Sequence, residues 1–274
     1  MSAFLALFSS ATYGISDFFG GQASRRVPAM TVVVWTEIIG LASAILAGLV
    51  SSPWSMTLPE FGWSAGAGIV GAGGFVLLFE GLSRGRMAVV SPLSALVGAG
   101  LPVLVGLLIG ERPGTLAWLG IGLALPAMWL VSYVQEEARG KSGIWYGLFA
   151  GVLFGLFFVM MSRTPSDAGV WPVAVARFGA PFLTVPLAFL RRISLRWPSD
   201  VGKVIVGVGI ADIAANMLYL VAVRGGMLSL VAVLTSLYPA FTVVLARLVA
   251  KEHMTRAQIS GVGLALLASA LIAI

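Results

Sequence analysis

Apolar runs of about twenty residues, separated by short polar breaks, follow one another along the whole chain. They predict ten helices, at about 3–21, 29–50, 61–82, 88–109, 115–133, 143–162, 170–190, 203–223, 228–249 and 257–274. Each is near the roughly 20 residues that a helix needs to cross a bilayer core. The longest polar breaks run from Gln135 to Ser142 and from Arg191 to Lys203.

The pattern is written twice. Arg84-Gly85-x-Met87 returns 140 residues later as Arg224-Gly225-x-Met227. Glu111 returns as Glu252, and Gly120-x-Gly122-Leu123-Ala124-Leu125 as Gly261-x-Gly263-Leu264-Ala265-Leu266, now 141 later. Leu7, Phe8 and Gly14 match Leu148, Phe149 and Gly155 at the same offset. This is the mark of a duplicated unit that has drifted by one residue. It divides the chain into residues 1–140 and 141–274, with five predicted helices in each. Five is odd, so the second unit must enter the membrane from the opposite side to the first. The expected fold is therefore an all-α membrane protein of ten transmembrane helices in two five-helix inverted-topology repeats, an arrangement that many secondary transporters use.

Composition narrows the class further. With 59% hydrophobic and 10% charged residues, the chain cannot cover a soluble surface. A net charge of +6 could suggest nucleic acid, but the basic residues sit singly or in small groups in the loops. Anionic lipid is the expected partner, and nucleic acid is not. The absence of cysteine removes thiolate catalysis and thiolate metal sites, and the one histidine, His253, lies in a predicted loop. No cofactor is expected. Residues 3–21 have their arginines after the apolar run, the reverse of a cleavable signal, and are read as a retained span.

Loop charge predicts orientation. Arg25, Arg26, Arg84, Arg86, Arg139, Lys141, Arg191, Arg192, Arg196, Lys203, Lys251 and Arg256 follow odd-numbered helices, whereas only Arg112, Arg163 and Arg224 follow even-numbered ones. By the positive-inside rule the first set is cytoplasmic and both termini lie outside. Within the spans, Gly147, Gly151 and Gly155 and the pair Gly62 and Gly66 offer close helix packing inside the molecule. Pro102 and Pro239, at roughly corresponding places in the two halves, are candidate gating kinks.

Ionisable groups in a bilayer core are costly and so face protein or water. Glu80 and Arg247 lie near enough to helix ends to act as anchors, and Asp17 is close to one. Glu37, Arg177 and Asp212 are deeper and are the candidates for coupling or charge relay, with Glu37 either the ion partner of Arg177 or a proton carrier. Asp212, Asn216 and Tyr219 share one helix face, as do Thr235, Tyr238 and Thr242, and Ser9, Tyr13 and Asp17. Three spans with a polar, partly aromatic face describe the wall of a hydrated cavity. The same residues would also serve as hydrogen-bonding glue in a solid bundle. Trp35, Phe75, Phe79, Phe154 and Phe157 supply aromatic surface for an amphipathic solute. Trp54, Trp63, Trp118, Trp145, Trp171 and Trp197 flank span ends as interface anchors.

The five-plus-five plan, Tyr13-Gly14-x-x-Asp17, the Gly110-Glu111-Arg112 and Lys251-Glu252 turns and the Gly-x-Gly-Leu runs after them resemble the EamA branch of the drug/metabolite transporter superfamily. The resemblance implies a central cavity and the movement of small metabolites, commonly export of amino acids or related compounds. It also implies cytoplasmic termini, opposite to the loop charges. Many members carry Trp-Gly-x-Asn where this chain has Tyr13-Gly14-Ile15-Ser16 followed by Asp17.

The expected function is alternating-access transport, with a proton as candidate co-substrate, in a bacterial inner membrane, by a monomer or weak homo-oligomer. Tyr13, Asp17, Trp35, Phe79, Asn216, Tyr219 and Tyr238 are the candidate substrate contacts. A lipid-linked-sugar flippase would instead open sideways between helices, and a structural subunit would have a packed interior. No ATP-binding loop is present. An intramembrane enzyme would need a nucleophile and base, or a metal cluster, that the spans lack.

Overall fold

A computed structural model describes residues 1–51, 53–84, 87–132, 143–164, 166–249, 251 and 254–273. Every regular element in them is helical. The helices are α1 (Ser2–Ser24), α2 (Ala29–Ser51), α3 (Leu58–Arg84), α4 (Met87–Leu108), α5 (Thr115–Ser132), α6 (Ile144–Ser162), α7 (Trp171–Gly179), α8 (Pro181–Leu190), α9 (Gly202–Arg224), α10 (Leu228–Thr235), α11 (Tyr238–Leu248) and α12 (Arg256–Ala273). A single 3-10 turn at Ser166–Ala168 precedes α7. The expected seam from Gln135 to Ser142, the loop residues Arg86, Arg139 and Lys141, and Glu252 and His253 lie outside the described residues.

Among the described residues, seven stretches are long and apolar enough to cross a membrane: Ala29–Ser51, Leu58–Gly81, Ile144–Ser162, Trp171–Leu190, Gly202–Arg224, Leu228–Leu248 and Arg256–Ala273. Leu93–Leu108 and Thr115–Val131 are shorter apolar helices.

Two of the expected helices are interrupted. The run from 170 to 190 is α7 followed by α8, and the run from 228 to 249 is α10 followed by α11. Proline explains both. Pro181 and Pro239 bring no N–H to the helical ladder, and their rings crowd the carbonyl four residues back, that of Arg177 or Thr235. At Ala180 the chain keeps helical angles (φ −56°, ψ −43°), so the ladder lapses with little turn of the backbone. At Ser236 and Leu237 the angles open to φ −73°, ψ −1° and φ −76°, ψ 5°. Pro102 behaves differently, because α4 runs on unbroken through it. The paired kinks expected at Pro102 and Pro239 are thus one interruption and one continuous helix.

The core is made where small residues let backbones approach. Gly147, Gly151 and Gly155 pack α6 onto α4, where an added Cβ would lie 2.7 Å from the Val90 carbonyl, 2.7 Å from that of Ser94 and 3.2 Å from that of Gly98. Gly66 sits under Met160, whereas Gly62 meets nothing within 4 Å and packs against no helix.

Contacts come in exchanged pairs. Gly68 of α3 lies so close to α7 that a Cβ would overlap the Ala176 carbonyl, and Gly209 of α9 faces the Thr36 carbonyl of α2, at 3.2 Å from an added Cβ. Gly14 of α1 meets the Tyr238 carbonyl and Phe241 of α11, while Gly155 of α6 meets the Gly98 carbonyl and Leu101 of α4. Gly120 of α5 meets Ile272 of α12, and Gly261 of α12 meets Val131 of α5. In each pair the partners are exchanged at the offsets of 140 and 141 already present in the sequence.

Candidate functional site

Three buried charges from three helices meet in the interior. Glu37 (α2), Arg177 (α7) and Asp212 (α9) are 2%, 7% and 2% exposed. Arg177 Nη1 donates to both carboxylate oxygens of Glu37, at 2.8 and 2.7 Å. Its Nη2 donates to Asp212 Oδ2. In hydrocarbon these charges are tolerable only because they answer one another. One turn on from Asp212, Asn216 Nδ2 donates to its backbone carbonyl at 2.7 Å. Asp212 Oδ1 is buried and has no hydrogen-bond partner. Of the two roles open to Glu37, the geometry gives it that of ion partner to Arg177.

Beside this cluster lies a cavity whose empty volume, mouth included, is about 650 Å³. Tyr13 and Asp17 of α1, Phe75 of α3 and Ser94 of α4 line it from the first half of the chain. Phe154, Phe157 and Phe158 of α6, with Arg177, Asn216 and Tyr238, line it from the second. Ala72 and Ala95 put little side chain into it, and Gly68, Gly71 and Gly98 line it while letting α3 and α4 approach α7 and α6. The wall is mainly aromatic, with a few polar handles, a make-up suited to an amphipathic organic molecule. Phe154 stacks edge-on to Phe75 at 5.2 Å between ring centres, which fixes one side of the chamber. Among the described residues no group of three or more His, Cys, Asp or Glu is placed to hold a metal ion.

The structure brings together Tyr13, Asp17, Asn216, Tyr238 and Arg177 at the cavity and sets Glu37 and Asp212 directly behind Arg177. Three predicted contacts fall elsewhere. Trp35 donates from Nε1 to the Leu195 carbonyl at 3.1 Å and packs edge-on to Trp197, so it anchors the loop after α8. Phe79 sits one turn beyond Phe75, at 5.8 Å between rings, in the packing of α3. Tyr219 is fully buried and donates to the Phe158 carbonyl at 2.8 Å, tying α9 to α6. Its i+7 spacing from Asp212 is real, but α6 covers that turn of the face.

The other two polar faces divide similarly. Thr242 donates to the Gly14 carbonyl at 3.3 Å and the Tyr238 carbonyl at 3.1 Å, and Ser9 to the Ala215 carbonyl at 2.7 Å, so both join helices. Glu80 is paired with Arg191, as an anchor near a helix end would be. Trp171 departs from the interface role: it is buried, with its ring against Gly48. Sequence reading missed Ser94, Ser236 and Phe158 and the glycine floor. A lone serine or glycine in an apolar run carries no periodic signal, and only the tertiary fold shows which ones face the space.

A solved crystal structure shares this fold with a TM-score of 0.76 and 20% identity, over 98% of this chain and 94% of the other. No curated protein matches the sequence. The sequence pattern of the EamA-like transporter family matches residues 1–133 and, a second time, residues 141–274. Both halves of the chain carry that pattern, and the protein belongs to the EamA family of the drug/metabolite transporter superfamily.

Proposed function

We propose that the chain is a secondary transporter that exports small amphipathic organic solutes by alternating access. Residues 1–140 and 141–274 are the two moving units, each of five spans and inserted in opposite senses. The seven long apolar stretches supply part of the count, and α1, α4 and α5 supply three more, giving ten. The exchanged glycine contacts support a two-fold relation between the units, because only equivalent units related in that way meet with partners swapped. Glu37 and Arg177 are themselves 140 residues apart and bonded to each other, so their ion pair lies on the proposed axis. An axis in the membrane plane places that pair, and the cavity beside it, near the midplane, where a transporter of this plan holds its solute.

The observation that carries the reading is the cavity itself, walled by α1, α3 and α4 of one unit and by α6, α7, α9 and α11 of the other. Rocking one unit against the other then changes which side the space opens to. Tyr13, Asp17, Asn216 and Tyr238 contact the solute, and Glu37, Arg177 and Asp212 form the charge relay behind it. A proton is the candidate coupling ion. Loop charge places both termini outside and the loops after α1, α3 and α8 in the cytoplasm.

Two measurements test this. The chain has no cysteine, so Ser55→Cys and Ser199→Cys give clean single labels at exposed loop positions. A membrane-impermeant maleimide added to intact cells should label the first and spare the second. Purified protein in sealed liposomes should show counterflow of at least one solute from a metabolite panel. Labelling of both positions from one side refutes the inverted arrangement, and no counterflow of any solute refutes transport.

A further inference from the structure

We propose that the cavity selects a cationic amine with an apolar or aromatic body and no carboxylate of its own. The inference narrows the transport reading above to a substrate class, and its binding arm stands without that reading.

The ionisable groups around the site are unequal in number, three carboxyl groups to one guanidinium. Arg177 is the only basic side chain on the cavity wall among the described residues, and two carboxylates already meet its charge, that of Glu37 through both oxygens and that of Asp212 through one. A third carboxylate, Asp17, also lines the space, and it has no hydrogen-bond or ion partner among the described residues. Two carboxylates thus meet the one guanidinium, and a third carboxyl group, that of Asp17, stands apart from it on the same cavity wall. A ligand bringing one positive charge gives Asp17 the partner it lacks, whereas a carboxylate on the ligand would face that carboxyl group and find no unpaired cation on the described wall.

The remaining wall suits the same ligand. Ser94 is fully buried, and its hydroxyl and that of Tyr238 lie against each other on the cavity wall. They are neutral oxygens able to accept from an ammonium. Tyr13, Phe75, Phe154, Phe157 and Phe158 give aromatic surface that attracts a cation by its ring faces and packs an apolar body. An amino acid brings the amine and the body, but its carboxylate has no seat here. The cavity therefore discriminates against the amino acids that the family resemblance suggests.

Three probes of one shape separate the possibilities: phenethylamine, phenylalanine and 3-phenylpropionate. Binding is measured on the purified full chain in lipid nanodiscs by titration calorimetry, and flux by counterflow of the labelled amine in liposomes. Phenethylamine should bind at least about tenfold more tightly than the other two, the worth of one charge-assisted contact. Asp17→Asn should lose about tenfold in amine affinity while eluting as the same folded species, and Asp17→Glu should retain most of it.

Equal or tighter binding of phenylalanine or phenylpropionate overturns the proposal. So does binding of none of the three, or an unchanged amine affinity in the Asp17→Asn variant. If the amine binds selectively but does not exchange across the membrane, the ligand class stands and the transport reading falls. If phenylalanine exchanges and the amine does not, transport stands and the ligand class falls.

Discussion

The two halves of the chain share a plan and differ at two helices. In the first half α2 and α4 are continuous, over 23 and 22 residues. In the second, their counterparts are split into α7 with α8 and α10 with α11. The prolines responsible have no equals in the first half, since position 181 corresponds to Leu41 and position 239 to Ala99. Pro102 in turn corresponds to Thr242. In α4 the carbonyl that Pro102 displaces belongs to Gly98, which faces Gly155 and is accommodated without a break. Duplication explains the shared contacts, and separate substitution explains where the backbone yields. Both lapses lie beside the site: one frees the Arg177 carbonyl, and the other brings Ser236 and Tyr238 to the cavity wall.

Removing the charge that joins the halves should have the largest effect. Arg177→Met leaves Glu37 and Asp212 buried without a cation and should cost about 3–5 kcal/mol of stability, read from thermal unfolding in detergent. Exchanging the pair, Glu37→Arg with Arg177→Glu, should recover only part of this, because Asp212 would still face a carboxylate in place of its guanidinium. Full recovery by the exchange would mean that the halves are interchangeable at this point, contrary to the position of Asp212.

Next comes the pair of glycine contacts. Gly68→Ala drives a methyl into the Ala176 carbonyl, whereas Gly209→Ala brings one to 2.9 Å from the Ile39 side chain, a much smaller overlap. The first should lower stability by about 3 kcal/mol and the second by about 1 kcal/mol. Equal losses would show that the two interfaces are equally tight. Unfolding midpoints of the two variants decide it.

A smaller effect tests the helix starts. Glu111 accepts from the backbone N–H groups of Leu228, through Oε1, and Ser229, through Oε2, and so caps α10. Glu111→Ala should cost about 1 kcal/mol. The smallest change in stability is expected for Pro239→Ala, within about 1 kcal/mol, because the lost rigidity of proline is offset by better helix propensity. Its effect should appear instead as slower counterflow, and unchanged flux would deny the interruption a role in gating.

Much of this was legible in the chain. Long apolar runs, the offset of 140 to 141 and the polar faces of α1, α9 and α11 follow from local spacing, and those faces contain Tyr13, Asp17, Asn216 and Tyr238, which meet at the cavity. Glu37, Arg177 and Asp212 stood out because each is a charge where charge is costly. What spacing could not reveal was which turn of a polar face another helix would cover. Tyr219 shares its face with Asp212 but lies under α6, and Trp35 is turned away to the Leu195 carbonyl. Nor could counting prolines tell a helix that breaks from one that continues. That depends on whether the displaced carbonyl has room, which is a property of the neighbour.

The pair formed by Glu37 and Arg177 also says something about ancestry. A residue lying on the dyad of two identical chains meets its own copy, so an unfused ancestor would have set like beside like at this point. Opposite signs at such a point need two copies that are encoded separately and free to diverge. In this protein the buried pair therefore depends on the two halves having diverged, and a homodimer of either half could not reproduce it.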